Sequence, residues 1–258
     1  MLKMFAVMGR DLRSYVNAFS FYLMVAFFLG IAGYFFWSTV CYFSLVSFQA
    51  ATNPATQPSH LNLTEGVFSP FLLNVSVLLL LLVPILTMRS FAEERKMGTL
   101  ELLFTYPVSN LQILFGKFFA ILTLLFFLFL PTVVYFPLAR IVGAHFELDS
   151  FLSGYLGLFL VGASFTSLGI FISSLTDNQA VSAGIGFVIL LFFWIAGWVA
   201  DWSSPALGSI FRELSLIDHF RDFTRGVIDT RDIAYFILFT LFFLFTTLCA
   251  IEVRTWKR

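Results

Sequence analysis

Long apolar runs separated by shorter polar stretches make up most of this chain. The first run covers residues 14–59 without a single charged side chain. A helix needs about 20 mainly apolar residues to cross a bilayer. We therefore predict an all-α integral membrane protein in which residues 1–258 form a single transmembrane domain with six spans, at about residues 19–46, 67–88, 112–139, 151–175, 178–200 and 233–251.

Residues 1–17 have a different pattern, in which polar and apolar positions recur at helical spacing. The polar face carries Lys3, Arg10 and Arg13, and the opposite face is apolar. Such a helix lies in the plane of the membrane interface, with its basic side chains toward anionic headgroups. The pattern predicts an interfacial helix at the N-terminus.

A charged segment, residues 89–111, separates the second and third spans. An ionised side chain in hydrocarbon costs several kcal/mol, so this segment must lie outside the bilayer. Gly98 is placed to end one short helix, and Ser109 with Gln112 has the spacing of a capping box that opens the next. We predict a helical elbow on the membrane surface.

A second charged segment, residues 201–232, carries apolar residues at near-helical spacing. This spacing predicts two short amphipathic helices with a break near Leu216. Because one face of each helix is apolar, we expect the segment to pack against the spans.

Composition supports membrane insertion and excludes several functions. The chain is 59% hydrophobic and 12% charged, whereas soluble domains carry about 25% charged residues. The net charge is zero, so the chain lacks the excess of basic residues that is typical of nucleic-acid-binding proteins. Two cysteines, Cys41 and Cys249, do not define a disulfide framework.

Lysine and arginine are unevenly distributed between the segments that flank the spans. Ten of them fall in the N-terminal helix, the elbow region and the C-terminal tail, and five fall in the remaining segments. The positive-inside rule then places both termini and the elbow in the cytoplasm. This bias predicts that residues 201–232 lie on the outer side.

The sequence lacks the chemistry of an enzyme. Gly116-Lys117 is followed by Phe118, and Leu111 occupies the first glycine position of a Walker A motif, so we expect no ATP hydrolysis in this chain. The spans lack the acidic or histidine side chains near the midplane that proton-coupled transporters use. The histidines lack ligand spacing, so we expect no metal site; they are His60, His145 and His219.

The elbow sequence E-E-R-K-M-G-T-L-E-L-L-F-T-Y-P-V-S, followed by Q-I-L-F-G-K-F, resembles the cytoplasmic loop of ABC type-2 permeases. The likeness is greatest to permeases of the gliding-motility type. The resemblance implies an exporter-like half-transporter in the bacterial inner membrane, paired with a second copy or a homologous permease. It also implies two copies of a cytoplasmic ATPase, which would hold the ATP and Mg²⁺.

The resemblance implies roles for both charged segments. In this family the elbow carries a coupling helix that sits in a groove of the ATPase. This implies an ATPase contact through Glu93, Glu94, Arg95, Thr99, Leu100, Glu101 and Leu103. Residues 201–232, which include S-L-I-D-H-F-R-D-F-T-R-G-V-I-D, also resemble the family, whose members fold this segment back as a helical hairpin. We expect Phe220 and Phe223 to close the outer end of the pathway.

Two other functions remain open at this point. A permease-like subunit without a transported solute would transmit ATPase motion to an extracytoplasmic machine through an auxiliary protein. An uncoupled channel or carrier would need no ATPase. The family's substrates include lipids, glycans, peptides and drugs, and nothing in the sequence selects among them.

Overall fold

The computed structural model describes residues 2–52, 64–98, 108–135, 137–138 and 148–256, and the elements in these ranges are helical. Among the described residues, six helical segments are long and apolar enough to cross a membrane. The predicted all-α class with six spanning helices is thereby confirmed. The helices are α1 Leu2–Asn17, α2 Phe19–Thr52, α3 Ser69–Thr87, α4 Ala92–Lys96, α5 Asn110–Phe129, α6 Leu148–Leu175, α7 Gln179–Asp201, α8 Pro205–Leu214, α9 Leu216–Thr224 and α10 Thr230–Trp256.

Polar side chains define several helix ends where the sequence places them. The Ser109 hydroxyl accepts from the Gln112 amide, and the Gln112 side chain accepts from the Ser109 amide, which confirms the predicted capping box. Asn178 caps α7 through Ala180 N–H. Ser215 separates α8 from α9 and caps α9, so the predicted break lies one residue before Leu216.

Two irregular turns extend the spanning helices. A single π-helical turn, Thr64–Phe68, leads into α3. The 3-10 turn Leu130–Val134 continues α5. Pro131 explains this change of geometry, since proline has no N–H to donate to the residue four positions earlier.

Helix α6 occupies the centre of the bundle and packs against α3, α5, α7, α9 and α10. In the most apolar 18-residue stretch of α6, 78% of the residues are buried, compared with 11% in the corresponding stretch of α2. Small residues allow this close packing: a Cβ added at Gly157 would lie 2.6 Å from Phe223 Cβ, and one added at Gly169 would collide with Thr87. The exposed apolar faces of α2 and α10 are available to lipid or to another chain.

The elements at the two ends of the bundle are far apart. Segment 88–98, which contains α4, lies where α3 and α6 end, because Phe91 and Ala92 bond to Ser173. Helix α9 lies where α3 and α6 begin, because Thr224 bonds to Ser69. The 19 residues of α3 span about 28 Å, close to the ~30 Å thickness of a bilayer core.

Candidate functional site

A buried lysine organises the end of the molecule that contains α4. Lys117, in the second turn of α5, is only 3% exposed. Its ammonium nitrogen lies 2.9 Å from Glu94 Oε1, 3.2 Å from Asp11 Oδ2 and 2.7 Å from the Ser90 carbonyl oxygen. It also lies 5.1 Å from the centre of the Phe91 ring. Three acceptors therefore meet the three donors of the ammonium group, which a buried charge requires.

Arg10 extends this arrangement into an ionic network. Its guanidinium lies 2.6 Å from Glu94 Oε1 and 2.8 Å from Asp11 Oδ1. Two cations and two anions, Arg10, Lys117, Asp11 and Glu94, form what we call the Lys117 cluster. Its members come from α1, α4 and α5, so the cluster joins three elements that are distant in sequence.

Helix α1 has a second attachment to the bundle. The Tyr15 hydroxyl donates to the Leu86 carbonyl oxygen at 2.8 Å. Burial raises the pKa of the Tyr15 phenol well above its usual value, so the hydroxyl remains a donor at physiological pH. The Arg89 guanidinium donates to the Ser20 hydroxyl at 3.1 Å, which links segment 88–98 to α2.

Segment 88–98 is also fixed to the junction of α6 and α7. The Ser173 hydroxyl oxygen accepts from the amides of Phe91 and Ala92, both at 3.1 Å, and donates to the Met88 carbonyl. Arg95 lies 2.7 Å from Asp177 Oδ1 and donates to the Ser174 carbonyl. These bonds satisfy amides at the start of α4 that have no partner within the helix.

The predicted coupling residues fall into two groups. Glu93, Glu94 and Arg95 lie in α4, where Glu94 belongs to the Lys117 cluster and Arg95 pairs with Asp177. Glu93 has no ion pair among the residues that the structure describes. The other predicted contacts lie outside the described residues: Thr99, Leu100, Glu101 and Leu103.

Sequence reasoning did not identify Lys117 as the centre of this site. A signal was available, because Lys117 is the only charge between Glu101 and Arg140. A lysine in so apolar a run is rarely buried unless it is paired. No spacing pattern points to the partners of Lys117, and nothing in the sequence distinguishes Ser173 from the neighbouring serines.

Helix α9 packs at the opposite end of the bundle. Phe220 and Phe223 are fully buried, so the predicted packing against the spans is found for α9, whereas most apolar side chains of α8 are exposed. Phe223 lies against Gly157 of α6, and its carbonyl oxygen accepts from the Ser153 hydroxyl at 2.8 Å. Thr224 and Ser69 are hydrogen-bonded at 2.7 Å. Hydrogen bonds thus fix the C-terminal end of α9 to both α6 and α3.

A buried contact between a histidine and a carboxylate fastens α9 to α10. His219 Nδ1 lies 2.6 Å from Asp232 Oδ1, and the imidazole stacks on Tyr235 at 4.1 Å between ring centres. The Glu213 carbonyl oxygen lies 3.3 Å from His219 Nε2. No group of three His, Cys, Asp or Glu side chains suited to a metal occurs among the residues described, and His219 serves as a packing and pairing residue.

Comparison with known proteins identifies the family. Residues 40–213, about two thirds of the chain, match the model of the ABC-2 family transporter protein. No curated protein is similar enough to match. The matched region contains α4, Lys117 and Ser173, and it ends at Glu213, in α8. The chain therefore belongs to the ABC-2 family of transporter proteins, as a multi-pass membrane permease component and not a catalytic ATPase domain.

Proposed function

We propose that this chain is the membrane-spanning subunit of an exporter-like ABC transporter, working as a dimer and driven by a separate ATPase. ABC permeases pair with an ATPase subunit, and the family implies the same here. The observation that carries the proposal is the Lys117 cluster. It joins the charged segment between the second and third spans to the first turns of the third span.

The attachments of segment 88–98 explain how motion would pass to the spans. Lys117 ties the segment to α5, and Ser173 and Asp177 tie it to the junction of α6 and α7. A displacement imposed on α4 therefore moves three spans together instead of bending a flexible loop. Rigid-body motion of this kind is a common way for a closing partner to act on a membrane domain.

We place the ATPase contact in α4 and in residues 99–103. Leu100 and Leu103 supply apolar anchors, the kind of side chain that carries most of the binding energy at an interface. Acids at the rim, such as Glu93, set orientation and encounter rate more than affinity. Because Glu94 neutralises Lys117, its main effect is on the joint between α4 and α5.

Truncating the two apolar anchors tests the contact. We expect the Leu100→Ala/Leu103→Ala variant to recover at least about tenfold less ATPase on co-purification in detergent, since each anchor contributes about 1–2 kcal/mol. The matched control is Leu152→Ala/Leu156→Ala, which removes the same atoms from exposed positions on α6. Equal ATPase recovery from wild type and from the Leu100/Leu103 variant would exclude these leucines from the contact.

The proposal places both termini and α4 in the cytoplasm. The support is the excess of lysine and arginine in α1, the elbow region and the C-terminal tail. Helices α8 and α9 then lie on the outer side, where we propose that Phe220 and Phe223 form the closure of the pathway. Both rings are fully buried at the end of the bundle opposite α4.

Cysteine labelling on intact cells tests this orientation. In a chain without Cys41 and Cys249, we expect Thr56→Cys and Ser204→Cys to react with a membrane-impermeant thiol reagent. We expect Lys96→Cys to react only after the membrane is permeabilised. Reaction of Lys96→Cys on intact cells, with no reaction at the other two sites, would invert the topology and separate α4 from a cytoplasmic ATPase.

The loop motif further favours the gliding-motility type of permease within the family. That assignment keeps a second function in view, in which the chain passes ATPase motion to an extracytoplasmic partner and moves no solute. A gene for an extracytoplasmic protein beside those for the permease and the ATPase would favour this second function. Transport of a solute by the reconstituted complex of permease and ATPase would favour export.

A further inference from the structure

We propose that the junction of α1, segment 88–98 and the start of α5 binds one phospholipid with a zwitterionic headgroup, of the phosphatidylethanolamine class. The headgroup occupies a polar pocket beside the Lys117 cluster, and an acyl chain follows an apolar groove between α2 and α3. The site shares Glu93 of α4 with the ATPase contact proposed above, so the test uses the chain without the ATPase.

The polar pocket has a volume of about 440 Å³. Its walls come from α1, from segment 88–98 and from Lys117 of α5. The groove beside it is smaller, with a volume of about 50 Å³, and most of its lining is apolar: Phe21, Met24, Ile85 and Leu86. Tyr15 and Arg89 line both cavities. A charged cavity and an apolar cavity are therefore adjacent, as the headgroup and acyl chain of a phospholipid are.

Arg89 stands at the boundary between the two compartments. The hydrogen bond described for its guanidinium is to Ser20, and it forms no ion pair with a described residue. In a phospholipid, the phosphate occupies the same intermediate place, between the headgroup amine and the acyl chains. A guanidinium binds a phosphate through charge-assisted hydrogen bonds, often two at once.

The balance of charges in the pocket selects the headgroup. Three cations and three anions line it: Arg10, Arg89, Lys117, Asp11, Glu93 and Glu94. The Lys117 cluster uses four of these charges internally, which leaves the cation of Arg89 and the anion of Glu93 for a ligand. A zwitterion pairs its phosphate with Arg89 and its ammonium with Glu93. An anionic headgroup would leave Glu93 without a counterion and add a net negative charge.

Ser90 provides an independent sign that a ligand belongs here. Its side chain is buried, lines the polar pocket and has a hydroxyl oxygen without a hydrogen-bond partner in the described part of the chain. Buried hydroxyl groups are normally hydrogen-bonded. A phosphate or ester oxygen of a lipid would accept the missing hydrogen bond.

The location of the pocket suits a lipid that belongs to the bilayer. Arg89 is the second residue after the end of α3, so the pocket lies where a spanning helix leaves the apolar region. On α1 and the start of α2, Phe5 and Phe19 are strongly exposed, as expected for side chains that enter the acyl boundary. The headgroup layer therefore meets the polar pocket and the acyl layer meets the groove.

The test measures lipid binding to the purified, delipidated full chain by thermal shift and native mass spectrometry. We expect dioleoyl phosphatidylethanolamine to bind and to raise the melting temperature more than dioleoyl phosphatidylglycerol does. We expect Arg89→Gln to weaken binding of phosphatidylethanolamine by about tenfold or more, because a charge-assisted bond is lost. Met24→Trp, which fills the groove, should have a similar effect. Arg13→Gln removes an exposed arginine of α1 outside the pocket and should leave binding unchanged.

The preference for one lipid headgroup over another distinguishes a role of these side chains in lipid binding from a role in folding. We expect Glu93→Gln to abolish the preference for phosphatidylethanolamine over phosphatidylglycerol, which a loss of stability would not do. Soluble O-phosphoethanolamine should produce no comparable shift, because it has no acyl chain. The proposal is overturned if phosphatidylglycerol binds wild type as well as phosphatidylethanolamine does, if O-phosphoethanolamine alone gives the full shift, or if Arg89→Gln binds like wild type.

Discussion

The Lys117→Met variant is expected to lose about 3–5 kcal/mol of stability, because removing one partner of a buried ionic network leaves an uncompensated charge. Lys117 is 3% exposed, and its anionic partners Asp11 and Glu94 are 12% and 15% exposed. Without the lysine, only Arg10 opposes two carboxylates. A fall in the melting temperature of the detergent-purified chain would report the loss. Methionine keeps most of the volume of the lysine side chain, so the change is mainly one of charge.

A second substitution should recover much of the stability. In Lys117→Met/Glu94→Gln, one cation and one anion remain, Arg10 and Asp11, at 2.8 Å. The matched control is Arg212→Gln, which breaks an exposed ion pair with Asp201 and should cost at most about 1 kcal/mol. If Lys117→Met melts like wild type, or if Glu94→Gln destabilises it further, the ionic network does not hold this joint together.

The double variant also separates stability from coupling. The Leu100 and Leu103 anchors are intact in Lys117→Met/Glu94→Gln, so we expect it to bind the ATPase. The ionic link between α4 and α5 is lost, so we expect hydrolysis to continue with reduced transport. Wild-type transport by this variant would mean that α4 acts on the spans through Ser173 and Asp177 and not through Lys117.

The spanning helices could be predicted from the sequence because their signals are local. An apolar run of membrane length needs no knowledge of its neighbours. Caps are local as well: Ser109 and Gln112 are three positions apart, and Asn178 accepts from an amide two positions along the chain. The break between α8 and α9 was placed to within one residue, because Ser215 caps a helix whose amphipathic pattern begins there.

The site could be predicted only in part, because its contacts are long-range. Asp11 is 106 positions from Lys117, and Ser173 is 82 positions from the amide of Phe91. No spacing rule joins such residues. The elbow sequence indicated a charged surface for a partner, yet Glu94 turns inward to a lysine and Arg95 pairs with Asp177. Glu94 and Lys117 are both largely buried, and a buried charge needs a counter-charge before it can serve a partner.

At the other end of the bundle, the Phe223→Ala substitution is expected to let solute pass through the protein without ATP. Phe223 is fully buried between α9, α6 and α10, with its Cβ against Gly157 and its ring 6.1 Å from that of Phe236. Truncation to alanine removes the ring and leaves a cavity, at a cost of about 3–5 kcal/mol. If this ring closes the outer end of the pathway, solute should cross proteoliposomes that contain the variant in the absence of ATP.

The control is Phe242→Ala, which removes the same atoms from an exposed position on α10. It should change neither the solute permeability nor the melting temperature. Helix α9 should remain attached in Phe223→Ala, because the Ser153 bond uses the backbone carbonyl of residue 223 and Thr224 keeps its bond to Ser69. Leak would therefore arise from the missing ring and not from loss of α9. A lower melting temperature with wild-type permeability would show that Phe223 only packs α9 against α6, and that another residue closes the pathway.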